Sequence, residues 1–104
     1  MIQLSELADR QDVKISPHCW NSMTVAAAAM LHVCAAIPNA EMAEIYPEYI
    51  AHGELFATTG FQLNGAHAYL SGKPGLGVEI DTSALESLSH HHHSTCLTIV
   101  KAAT

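Results

Sequence analysis

The spacing of apolar residues changes several times along this chain, and each change marks an element. Ile2, Leu4, Leu7 and Ala8 recur at near-helical intervals, so the first ten residues predict a helix. In "QDVKISP" the period drops to two, with Val13 and Ile15 alternating against polar neighbours, which predicts a short strand. Pro17 ends it, because proline has no N–H for a ladder. The strand therefore delivers Ser16, Pro17, His18 and Cys19 into a turn. Asn21 or Ser22 offers a side-chain cap for a second helix running to about Ala36. That helix is apolar around its whole circumference, as suits one packed on several sides. "IPNA" ends it, and "AEMAEIY" predicts a second extended segment finishing near Glu44.

Two strands joined by such a helix form a βαβ unit with parallel strands, so His18 and Glu44 emerge at one sheet edge. The C-terminal edge of parallel strands is where α/β folds usually place their chemistry. Residues 47–60 show little pattern and read as a loop. Asn64-Gly65 between two apolar runs predicts a hairpin with a type I′ turn. "SGKPGLG" then reads as a turn-rich stretch before a last short strand, "VEI". From about Ser87 the pattern lapses, and residues 87–104, with four histidines in a row, read as a divergent, disordered tail.

Composition narrows the choices. A chain of 104 residues that is 49% apolar suits one small domain with one modest core. A formal charge of −6, from ten acidic and four basic residues, argues against a nucleic-acid footprint or a polybasic membrane attachment. The run "MTVAAAAMLHVCAAI" is roughly 15 residues, short of the ~20 that span a bilayer. The N-terminus lacks the basic-then-apolar layout of a signal peptide. Three cysteines without a disulfide-type spacing read as free thiols, so the expected compartment is the cytoplasm. His18-Cys19 and His32-Cys34 carry zinc-ligand residue types, but no Cys-x-x-Cys pair exists, and His32 and Cys34 point to different faces of one helix. "GKPGLG" lacks the spacing of a phosphate-binding loop and reads as a structural turn.

The order of parts resembles the C-terminal portion of the mandelate racemase and muconate lactonizing enzyme group within the enolase superfamily. "VKISPHCW" is similar to the seventh barrel strand and its loop. "AAAAMLHVCAAIPNAEMAE" is similar to the seventh helix and eighth strand, and "GKPGLGVEID" to the segment returning toward the capping domain. The match covers most of residues 1–86. It implies an α/β fold: the C-terminal fragment of a (β/α)8 barrel, one βαβ unit, then a hairpin and a capping-domain return segment. It also implies a lyase acting on a sugar acid with magnesium, by removal of the proton next to a carboxylate. A racemase or epimerase of the same group is the alternative, and a non-catalytic fragment or assembly surface is the reading from another class.

By that resemblance His18 is the general base, a role an imidazole suits because it titrates near neutrality. Glu44 matches an eighth-strand glutamate that stabilises the developing enolate, which would need surroundings that raise its pKa. Trp20, just past the base, would form an apolar wall around the substrate. The resemblance places the metal ligands on strands absent from this sequence, so no metal ligand is expected here and the chain alone is expected to be inactive. It further implies a small carboxylate substrate and a homo-oligomeric full-length parent. A whole barrel needs ~200 residues or more, so the two strands here are expected to leave sticky edges and an exposed apolar surface.

Overall fold

A computed structural model describes residues 1–19 and 22–88. Trp20 and the tail from residue 89 onward lie outside the described residues. The elements are α1 (Ile2–Asp9), α2 (Thr24–Ala36), α3 (Pro47–Gly53), β1 (Phe61–Asn64) and β2 (His67–Leu70), followed by a helix, α4, over 82–88.

α1 forms where the period indicated, but its apolar side chains face outward. Ile2, Leu4 and Leu7 are about half exposed or more, and the residue it buries is Ser5. The clasp is polar. Ser5 Oγ donates to Asn39 Oδ1 at 2.5 Å, while Asn39 Nδ2 donates to the carbonyls of Ser5 at 3.2 Å and Val13 at 2.9 Å. Asp12, in the left-handed region at φ 54°, turns the chain out of α1. Its N–H returns to Asp9 O and that of Val13 to Ala8 O, the paired bonds of a Schellman motif.

The two expected parallel strands are reduced to one parallel bridge, Ile15↔Ala40. Ile15 N–H donates to Asn39 O and Glu41 N–H to Ile15 O, each at 2.9 Å. The orientation is parallel, as a helical crossover requires, but among the described residues the pairing is confined to this single bridge. "VEI" behaves likewise. It forms a single antiparallel bridge, Ala57↔Ile80, flanked by Thr58 N–H to Glu79 O and Asp81 N–H to Phe56 O.

The stretch read as a loop holds α3. Pro47 occupies its first turn, where a missing N–H costs nothing, and Glu48 stands beside it. α3 packs on α2 through Gly53, at which a Cβ would lie 2.8 Å from the Thr24 methyl and backbone N. α2 starts without a side-chain cap: its N-cap is Met23, and the Thr24 hydroxyl is buried with no hydrogen-bond partner among the described residues. Ala27, Ala28, Met30 and Leu31 of α2, with Ile50 of α3 and Phe61 of β1, form the core. Burying side chains the size of Leu31 and Phe61 stabilises the fold by roughly 1.5–3 kcal/mol each.

The hairpin pairs Phe61 with Leu70 and Asn64 with His67, leaving Gly65 and Ala66 as the turn. A type I′ turn needs positive φ at both central residues. Here only Gly65 has it, at 59°, the pattern of a type II′ turn with glycine first. Beyond the hairpin the chain folds back so closely that a Cβ on Gly60 would collide with the carbonyl oxygen of Leu76. Gly60→Ala is expected to cost about 1–3 kcal/mol by overpacking, read as a lowered denaturant midpoint. α4 is capped by Asp81, whose Oδ1 accepts the N–H of Ala84 at 3.0 Å. No helix among the described residues is long and apolar enough to cross a membrane.

Candidate functional site

The parallel bridge at Ile15 and Ala40 sets the geometry of the site. Running forward together from it, the two segments reach His18 three residues on and Glu44 four residues on. His18 Nδ1 contacts Glu44 Oε2, so the two residues singled out in the sequence are brought together. Both side chains are about half exposed, at 51% and 43%. A cleft of about 660 Å³ opens between α2, residues 41–47 and the hairpin, lined by Leu31, Cys34, Met42, Ile45 and Leu63, and neither His18 nor Glu44 lines it. Trp20 lies outside the described residues.

Tyr46 joins the pair, its hydroxyl donating to Glu44 Oε1. In an extended segment residues two apart share a side, which is how Tyr46 comes to lie with Glu44. This residue was missed in the sequence, although the i, i+2 spacing and the following Pro47 could have signalled it. His32, by contrast, is spent on its own helix, with Nδ1 at 2.8 Å from Ala28 O. Cys19 donates to the Met30 sulfur at 3.3 Å, and burial, reinforced by Cys19, pushes the Cys34 thiol up.

The Tyr46 hydrogen bond, followed by that from His18, holds the Glu44 carboxyl below its ordinary range. This is the opposite of the direction expected for a glutamic acid that donates to an enolate. The physical reason is plain: an exposed carboxyl with two donors on it gains by being ionised. Tyr46 shifts up in turn, first because its proton is held in the hydrogen bond to Glu44, and further because losing it would place two anions together. An ionised Glu44 can only accept, so Nδ1 of His18 carries the shared proton and Nε2 is the nitrogen that takes up another.

Because the folded value of Glu44 is depressed, its contribution to stability is present above the ordinary carboxylate range. It is lost as the pH falls through the depressed value. The melting temperatures of the wild type and Glu44→Gln, followed from neutrality into acid, are expected to differ at neutral pH and to converge at the acid end.

Magnesium, which the family resemblance implies, takes a near-octahedral set of oxygen ligands. Both Glu44 oxygens are engaged by His18 and Tyr46, and among the described residues no group of three or more His, Cys, Asp or Glu side chains gathers. These residues do not fit a magnesium site.

The single parallel bridge after a helical crossover brings a histidine and a carboxylate to one shared edge. Residues 1–84 match the model of the enolase C-terminal domain-like family. The chain belongs to the enolase superfamily, in its mandelate racemase/muconate lactonizing enzyme group. Among solved structures it is similar to an enolase from the environmental genome shotgun sequencing of the Sargasso Sea, with 45% identity and a TM-score of 0.80. That match covers 84% of this chain and 23% of the other, so the chain spans under a quarter of its neighbour's length. No curated protein matches it.

Proposed function

We propose that residues 1–86 serve as the closing part of an enolase-superfamily barrel enzyme that removes the proton next to a carboxylate, with dehydration of a sugar acid as its reaction. The observation that carries this reading is the contact between His18 and Glu44 at the edge where chemistry is placed in such folds. His18 Nε2 takes the α-proton, and the C–H electron pair moves into the carboxylate to give an enediolate. The returning electron pair expels the β-hydroxyl, which leaves as water with the proton held by the imidazolium.

Glu44, as an anion on Nδ1, stabilises the imidazolium that forms and fixes the ring. That places it behind the base rather than over the enolate. Trp20, two residues after His18 in sequence, is proposed as the apolar wall of the substrate site. Magnesium ligands and the remaining walls are proposed to lie on other parts of the barrel. The outward side chains of α1 and the open edges at Ile15 and Ala40 are the surfaces the rest of the barrel covers. The cytoplasm is the proposed setting, with the full-length parent a homo-oligomer.

The test is a composite barrel, the Sargasso Sea enolase carrying residues 1–86 of this chain in place of its matching segment, incubated with a panel of sugar acids in deuterated water. A dehydratase yields the 2-keto-3-deoxy acid. A racemase or epimerase instead yields α-deuterated acid with inverted configuration and the hydroxyl retained. A folded composite that gives neither with any member of the panel contradicts the proposal.

A further inference from the structure

α3 contributes one residue to the core cluster, but its first turn reaches the candidate site. Tyr46 is the N-cap of α3, in extended conformation at φ −106° and ψ 105°. Pro47 favours this, because the residue before a proline is disfavoured in the helical region. The Tyr46 ring packs edge-on against Tyr49, with centroids 6.0 Å apart, and Tyr49 packs in turn against His52. α3 itself is seated on α2 by the close approach at Gly53. The phenol is thus fixed by backbone, ring packing and helix docking, and its hydroxyl lands on Glu44 Oε1 while His18 holds Oε2.

We infer that Tyr46 is a positioning residue that pins the Glu44 carboxylate against His18 and so sets which imidazole nitrogen accepts a proton. The inference rests on the reading of His18 as the base. A carboxylate held at one oxygen alone rotates about its last bond; held at both, it presents a fixed lone pair to Nδ1. The titratable groups acting on Glu44 are His18 and Tyr46, and Tyr49 acts on Tyr46.

Tyr46→Phe removes only the hydroxyl and keeps the ring packing. In the full chain, the Glu44 carboxyl is followed by carbon NMR against pH, and the His18 ring by its nitrogen shifts. The wild type is expected to show one tautomer, with the proton on Nδ1. In Tyr46→Phe the Glu44 titration is expected to move up toward the ordinary carboxylate range, and His18 to become a mixture of tautomers. Tyr49→Leu, which loosens the ring without touching the hydroxyl, should shift both in the same sense by less. A Tyr46→Phe chain with both readouts unchanged overturns the inference.

The two readings fail separately. If Tyr46→Phe perturbs the pair while His18→Asn leaves turnover of the composite barrel intact, the positioning stands and the base reading falls. If His18→Asn abolishes turnover while Tyr46→Phe moves neither signal, this inference alone falls.

Discussion

Replacing His18 with asparagine in the composite barrel is expected to slow turnover by roughly 100- to 10,000-fold, the usual worth of a positioned general base. Asparagine is close in size and can still offer an N–H to Glu44, so the neighbouring geometry survives. It cannot take up a proton. The loss should fall on kcat, since the group acts in the transition state rather than in binding the substrate. Glu44→Gln separates two further roles. An amide can still accept through its oxygen but carries no charge to stabilise imidazolium, so a large drop in kcat at unchanged KM supports the placement of Glu44 behind the base.

Asn39→Ala is expected to be the most destabilising of the substitutions considered, by about 3 kcal/mol, with the denaturant midpoint lowered and its slope unchanged. Asn39 is 1% exposed, and its side chain makes three hydrogen bonds that tie Ser5 of α1 to Val13. Truncation leaves a buried hydroxyl and two carbonyls without that partner, at roughly 1–3 kcal/mol for each group left unsatisfied. Small domains have only about 5–15 kcal/mol in total. The effect should extend to the site, because the Asn39 carbonyl accepts the Ile15 N–H in the bridge that aligns His18 with Glu44. Loss of the clasp should therefore weaken the His18 tautomer signal at denaturant concentrations where wild type keeps it.

How much of this was legible depended on how local the cause was. α2 and the hairpin could be read because a long apolar run and an Asn-Gly pair act within a few residues. α3 was missed because seven residues with Ile50 and Gly53 buried show no period, although Pro47 and Glu48 are start signals. The turn type depended on register: pairing Asn64 with His67 moves glycine to the first central position. Periodicity announced α1 but not which side it buries, since the clasp joins Ser5 to a residue 34 positions away. Val13, Ile15 and "VEI" had strand character, yet a ladder needs neighbours as well as propensity. His18 and Glu44 came from crossover logic and the family resemblance, whereas the ionised state of Glu44 depends on Tyr46, which only the fold reveals.

The most direct measurement of the central claim is release of deuterium to solvent from a sugar acid deuterated at its α-carbon, catalysed by the composite barrel with and without His18→Asn. Release is expected with His18 present and is expected to be lost in the asparagine variant, with both proteins equally folded by circular dichroism. Release at the wild-type rate in the His18→Asn protein would contradict the reading of His18 as the base.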